Sequence, residues 1–440
     1  MFEIKEKPRQ VEKALLVGVY SEPARQHDAR SLLDELASLV ETLGLEVLDR
    51  LLVRVPVPSA RWFVGSGKAE EIAARAQALG ADVIVFDNEL HPAQQRNWEA
   101  LAKLAVIDRQ EVILDIFAGR AQTKEARLQV DLARLEYSLP RLTRAWGHLG
   151  RQAGGVGGKG EGETQLEADR RLIRRQIDRL KEDLELVRAR RATQRKLRDR
   201  LPLPHAAIVG YTNAGKSSLL KTLTGADVRV EDKLFATLDP TTRKVVLPTG
   251  QSLLLTDTVG FVRNLPHRLV EAFKATLEEA VLADFLVHVL DASHPQVYDF
   301  YETTMRVLEE LGADKKRVVT VLNKVDLVPD QSTLHVLRVH FPDAVFVSAE
   351  HGEGLDELLH RMADLLTGRV QRVELALPLE RADLLSLLHR TSKVLSLEYQ
   401  PSIAKVVASV SPKVLARVAP FVLPGPPELQ PAGCLDSQAD

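Results

Sequence analysis

Between residues 14 and 107, short apolar and often β-branched runs at 15–19, 47–53, 83–86 and 104–107 alternate with amphipathic stretches at 30–43 and 69–79. Strands buried on both faces need unbroken apolar runs, and helices between them supply the crossovers. Residues 1–120 are therefore predicted to form an α/β domain with a mainly parallel sheet. The period then changes. Leu128, Leu132, Leu135, Leu139 and Leu142 recur at spacings of four and three, which places one apolar seam on a helix. Ile173, Ile177, Leu180, Leu184 and Val187 repeat that spacing on a highly charged helix over 163–199. Between the seams, residues 147–162 contain Gly154, Gly155, Gly157, Gly158, Gly160 and Gly162. That is too glycine-rich to remain helical. Residues 121–200 are thus expected to form an antiparallel helical hairpin, a coiled coil with a glycine tip. At about 1.5 Å per residue, roughly 35 residues of helix extend about 50 Å, beyond a compact domain.

Leu201-Pro202-Leu203-Pro204 marks a boundary, and a second α/β pattern follows up to residue 367. Strands are then predicted at 373–377, 394–398 and 403–410, with helices at 381–390 and 412–418. The expected fold is therefore α/β, with four parts. A second α/β domain at 201–367 follows the first and its hairpin, and precedes a small α+β domain at 368–440. The proline-rich tail beyond 423 is expected to be disordered.

Composition narrows this only a little. The chain has 440 residues, 45% of them hydrophobic, enough for two to four cores. Its 59 basic and 61 acidic residues nearly cancel, so any nucleic-acid surface must be local. Residues 151–200 are the local exception, with 15 Lys and Arg against 9 Asp and Glu. A long basic arm suits a polyanion such as structured RNA; a solvated coiled coil is the alternative reading. The single cysteine, Cys434, excludes internal disulfides and thiolate clusters. The opening MFEIKEKPRQVEK is charged where a secretory signal is apolar, and no run approaches 18 apolar residues. The expectation is a cytoplasmic monomer without a membrane span.

The sharpest chemistry begins at the strand Ala207-Ile208-Val209, which runs into Gly210-Tyr211-Thr212-Asn213-Ala214-Gly215-Lys216-Ser217 and a helix. This is GxxxxGK(S/T) in its strand-loop-helix setting, so 201–367 is expected to be a nucleotide-binding P-loop domain. Its glycines let backbone N–H groups wrap phosphates, Lys216 is expected to meet the β- and γ-phosphates, and Ser217 to ligate Mg²⁺. A second apolar strand ends in Asp257-Thr258-Val259-Gly260. Asp257 is expected to hold Mg²⁺ through water, and the Gly260 N–H to sense the γ-phosphate. The base is read by Asn323-Lys324-Val325-Asp326 at the end of another strand. A carboxylate at Asp326 accepts both N1–H and N2–H of guanine, and adenine offers neither donor, at a cost of about 1.5–3 kcal/mol per lost charged hydrogen bond. Ser348-Ala349-Glu350 follows a further strand and is expected to donate to the guanine O6. By contrast Gly65-Ser66-Gly67-Lys68 only imitates a phosphate loop. Trp62 stands where its first glycine belongs and Ala69 replaces the hydroxyl, so a plain turn into a helix is expected.

With these motifs in place, Phe235-Ala236-Thr237-Leu238-Asp239-Pro240-Thr241-Thr242-Arg243 carries a resemblance. Together with Gly154-Gly155-Val156-Gly157 and Gly162-Glu163-Thr164-Gln165-Leu166-Glu167, it resembles the HflX family of ribosome-associated GTPases over nearly the whole chain. The resemblance implies that Thr237 binds Mg²⁺ and the γ-phosphate, with Phe235, Ala236, Leu238 and Asp239 lining the nucleotide; spacing alone leaves Thr241 and Thr242 as rivals. It also implies binding to the 50S ribosomal subunit and its rRNA, with the hairpin tip reaching the peptidyl-transferase region. GTP-dependent separation of stalled or idle ribosomes would follow. An assembly factor that uses GTP as a timer is the alternative. Many GTPases place a water-orienting glutamine directly after DxxG, but here that residue is Phe261. A phenyl ring cannot align water, so slow intrinsic hydrolysis is expected until a partner completes the site, a step worth roughly 10³–10⁵ in rate.

Overall fold

A computed structural model describes residues 11–144, 161–198, 203–225, 234–235, 237–263, 278–367, 371–410 and 412–423. Most of the predicted glycine tip, Ala236, Cys434 and the tail beyond 423 lie outside the described residues.

The first sheet contains β1 (Lys13–Tyr20), β2 (Glu46–Arg54), β3 (Val83–Phe86) and β4 (Ala105–Asp108) in the order β2-β1-β3-β4, all parallel. Successive residues of β1 feed opposite cores, which is why its run is apolar without alternation. Ala14 and Leu16 join Leu36 and Val40 of α1 (Gln26–Thr42) and Phe117 of α4 (Arg109–Arg120). Leu15 and Val17 join Ile72 of α2 (Ser66–Leu79) and Trp98 of α3 (Pro92–Ala102).

The arm starts at α5 (Lys124–Ser138), N-capped by the Thr123 hydroxyl, which accepts from the Ala126 N–H. Pro140 cannot continue an α-helix, and the chain tightens into a 3-10 turn over Leu139–Arg144. The leucine seam read from sequence is therefore cut short: Leu139 and Leu142 fall in that turn, and Leu128, Leu132 and Leu135 are only half-buried. The deeply buried face of α5 is instead Ala126, Val130, Ala133 and Tyr137, which belongs to the main core. On α6 (Glu161–Arg198) the predicted seam is the buried one, with Ile177 and Leu184 most covered, and Lys181 pairs with Glu136 of α5 at 2.9 Å. Its 38 residues correspond to about 57 Å at 1.5 Å per residue.

The second sheet has the order β10-β9-β8-β5-β7-β6, from β5 (His205–Gly210), β6 (Thr241–Val246), β7 (Ser252–Asp257), β8 (Phe285–Asp291), β9 (Arg317–Asn323) and β10 (Val345–Phe346). Only β6 runs antiparallel. Among the described residues, helices α7 (Lys216–Thr224), α8 (Val297–Glu310), α9 (Gln331–His340) and α10 (Leu355–Thr367) accompany it. β5 pairs with β7 on one side and β8 on the other, so the chain order diverges at its carboxyl end, where ligands bind in open α/β sheets.

The two α/β units share a core. Phe117 and Ala126 from the first belong to one cluster with Phe235, Phe261 and Phe300 of the second. Across the junction Glu35 is held between Arg109 at 2.8 Å and Arg263 at 3.0 Å. A three-stranded antiparallel sheet, β11 (Gln371–Pro378), β13 (Ile403–Val410) and β12 (Lys393–Tyr399) in that spatial order, packs with α11 (Ala382–Thr391) and α12 (Pro412–Val418) around Leu375, Leu388 and Val406. This is the small α+β module.

Candidate nucleotide site

The loop after β5 depends on two glycines in left-handed backbone. Gly210 has φ +148° and Gly215 φ +88°, and a Cβ on Gly215 would lie 2.2 Å from Asn323 Nδ2. α7 then starts at Lys216, whose buried Nζ donates to the Tyr211 carbonyl at 2.7 Å. Burial pushes the Lys216 ammonium down to about 8; Asp257 opposes that and Lys324 adds to it. Thr212 Oγ1 accepts the Phe235 N–H at 3.0 Å, Asn213 is exposed with φ +59°, and Ala214 is buried. The Tyr211 ring stacks on Phe300 with centroids 3.8 Å apart, and its hydroxyl accepts the Arg263 N–H at 2.8 Å.

Beside Lys216, three side chains converge. Ser217 Oγ donates to Asp257 Oδ2 at 2.6 Å, Thr237 Oγ1 lies 2.9 Å from the same oxygen, and the two hydroxyls are 2.8 Å apart. Asp257 Oδ1 is buried with no hydrogen-bond partner. Burial pushes the Asp257 carboxyl up, while Lys216, the two hydroxyls and the Thr258 N–H hold it down. Two hydroxyl oxygens and a half-satisfied buried carboxylate form an oxygen-only donor set, which fits a hard divalent cation such as Mg²⁺. Of the rival threonines, Thr242 bonds Thr256 at 2.8 Å, and Thr241 lies on β6 in register with Asp257.

The strand-end segment is tightly fitted. Thr258 Oγ1 donates to the Ile208 carbonyl at 2.7 Å and Val259 is buried. A Cβ on Gly260 would meet Thr212 Cα at 2.7 Å and Lys216 Nζ at 2.9 Å, so only glycine leaves that space open. Phe261 continues the ladder, donating to the Gly210 carbonyl at 3.1 Å and accepting from the Thr212 N–H at 2.8 Å, and its ring is in the core.

On the other side, the buried Asn323 joins two loops: Nδ2 donates to the Ala214 carbonyl at 2.9 Å, and Oδ1 accepts the Ala349 N–H at 3.0 Å. Lys324 has φ +63° and pairs with Asp291 at 2.7 Å. The Val325 N–H reaches the Val347 carbonyl at 3.3 Å. Asp326 Oδ2 is 3.9 Å from His351 Nδ1, which also meets the buried Ser348 Oγ at 3.1 Å; Glu350 is exposed. Sequence reasoning passed over His351 and Asp291. The position of Asp291 at a strand end beside Asn323, in register with it, is the signal that could have found it.

Phe235, Leu238 and Asp239 face elsewhere. The Phe235 ring lies edge-on to Phe117 at 4.5 Å, Leu238 is in the core, and the Asp239 carboxylate accepts from Gln122 and Thr123 rather than entering the pocket. At the imitation loop, Gly65 has φ −68° and Lys68 pairs on the surface with Glu71 at 2.8 Å.

Three protein-family descriptions match the chain: GTP-binding GTPase N-terminal over 30–118, GTP-binding GTPase Middle Region over 120–198, and 50S ribosome-binding GTPase over 205–324. GTPase HflX of Akkermansia muciniphila is 53% identical over 411 residues, covering 91% of this chain and 94% of the relative. GTPase HflX of Escherichia coli K12 is 42% identical, covering 83% and 86%. A crystal structure of SsGBP with GDP aligns at TM-score 0.47 and 25% identity, over 81% of this chain and 99% of that one.

Proposed function

Because the chain belongs to the HflX family of GTPases and so hydrolyses GTP, we propose that the pocket at the end of β5 carries that reaction and that the large ribosomal subunit is its partner. The observation that supports the site is the meeting of Ser217, Thr237 and Asp257 beside the buried Lys216. Amides of Gly210 to Ser217 wrap the phosphates and Lys216 binds the β- and γ-oxygens. Ser217, Thr237 and Asp257 would hold Mg²⁺, which when bound would supply neutralisation of charge on the phosphates. Gly260 offers its N–H to the γ-phosphate. Asn323 braces the loops, the Lys324 stem covers the base, Asp326 reads the guanine edge, and Ser348, Ala349 and Glu350 close the O6 side.

Phe261 supplies no polar atom, so turnover is slow until the ribosome completes the site. The arm formed by α5 and α6 carries the contact to rRNA, and its GTP-bound engagement separates 70S particles into subunits. Intact 70S ribosomes, incubated with the protein and a non-hydrolysable GTP analogue and then sedimented, are expected to release 50S subunits with protein bound. Protein on 50S without any loss of 70S would instead favour the assembly-factor reading, and absence from every ribosomal fraction would remove the ribosome from the account.

A further inference from the structure

Among the described residues, the segment carrying Thr237 is fastened at Phe235, Thr237, Leu238 and Asp239, and two of these fastenings reach the phosphate loop, at Thr212 and Ser217. Phe235 has φ +55°, a left-handed backbone that is strained for a bulky side chain. It stays there because Thr212 Oγ1 accepts its N–H at 3.0 Å and Phe117 of α4 packs against its ring. Leu238 is buried in the same core. The last fastening is of a different kind. The Asp239 carboxylate accepts three hydrogen bonds from the root of the arm: Gln122 N–H at 2.9 Å, Thr123 N–H at 3.1 Å and Thr123 Oγ1 at 2.5 Å. The same Thr123 hydroxyl accepts the Ala126 N–H at 3.1 Å and caps α5. A carboxylate at the amino end of a 15-residue helix is also favoured by the helix dipole. The bonds are charge-assisted and specific, yet they lie at the exposed surface, where water replaces them at small cost.

We propose that this Asp239–Thr123 clasp positions Thr237 for hydrolysis, which makes Thr123, a residue of the arm and not of the GTPase domain, a positioning residue for the reaction. Thr237 stands two residues from the clasp, with Leu238 anchored between them, so the direction of its hydroxyl toward Ser217 and Asp257 is set from both sides. α5 packs along α6, and Lys181 ties the two at Glu136, so a load on the arm reaches the clasp at its root. A shift of about 1 Å in α5 is enough to break hydrogen bonds of this length. Occupation of the arm thereby sets the geometry of Thr237 without contact between the arm and the nucleotide.

This inference rests on the nucleotide site proposed above, and its test separates the two. In the full-length protein, Asp239→Asn removes two acceptor sites without changing shape, Thr123→Val removes the hydroxyl, and Thr123→Ser keeps it. Asp239→Asn and Thr123→Val are expected to lower kcat for GTP roughly ten- to a hundredfold, the scale of a misplaced catalytic group. Affinity for GDP, which lacks the γ-phosphate that Thr237 serves, is expected to stay within about twofold of the parent, and Thr123→Ser to restore most of kcat. An unchanged kcat in Asp239→Asn would overturn the clasp, as would a parallel loss of kcat and GDP affinity. Should the parent itself fail to bind GDP, the nucleotide site has failed and not only the clasp.

Discussion

Lys68 and Lys216 each follow a glycine at the first turn of a helix in an α/β unit, and their surroundings differ at every level. Lys68 stands on α2 after a glycine with ordinary backbone, its ammonium in solvent and neutralised by Glu71 three residues on. Lys216 follows a glycine at φ +88°, at the end of the loop that leaves the central strand β5, and is buried against Tyr211 and Asp257. The difference teaches that a phosphate site is made by the strand that leads into the loop and by left-handed glycines that turn the amides inward. A Gly-Lys pair alone makes a helix start.

Substituting the two lysines breaks the comparison most sharply. Lys216→Ala is expected to lower GTP turnover by about 10³, on the scale of losing a charged transition-state donor, while Lys68→Ala stays within about twofold. Steady-state phosphate release measures both, and a comparable loss from Lys68→Ala would mean that the first domain takes part in turnover.

A smaller effect is expected at the glycine. Gly215→Ala places a Cβ 2.2 Å from Asn323 Nδ2 in left-handed backbone, and its strain of about 1–3 kcal/mol falls on the bond that braces Ala214. Affinity for GDP should weaken by roughly ten- to a hundredfold in a fluorescence titration. The equivalent change at Gly67, in ordinary backbone with open space around it, should leave that affinity unaltered.

The gentlest contrast is one of pH. With Lys216 lowered to about 8 in the nucleotide-free protein and raised again by phosphate, GTP binding takes up a proton above pH 8. Affinity is therefore flat below pH 8 and falls by up to about tenfold per unit above it. The same shift makes the nucleotide-free fold more stable as pH rises from 8 towards 10.5, because the unfolded chain then holds the extra proton. A GTP titration between pH 7 and 9 with a constant dissociation constant would remove Lys216 from the phosphate contact.

The architecture was largely legible, because parallel strands buried on both faces and charged helices leave strong periodic marks. The leucine seam of α5 misled in part. Its helical leucines, Leu128, Leu132 and Leu135, are only half-buried, while small residues, Ala126 and Ala133, face the tighter core, and size is not what a hydrophobic period records. Of three threonines, sequence spacing could not choose; the register of β6 carries Thr242 to Thr256 and brings Thr237 to Ser217. Asp239 was read as lining the nucleotide. Its bonds to residues more than a hundred positions earlier depend on how two units dock, which local sequence does not encode.

The most direct test lies at the base-reading loop. GTP and ATP dissociation constants should be measured for the parent and for Asp326→Asn. If the pocket at the end of β5 reads guanine, the parent prefers GTP, and the substitution erodes that preference by about 1.5–3 kcal/mol, roughly ten- to a hundredfold. An unaltered ratio would contradict the account at its centre.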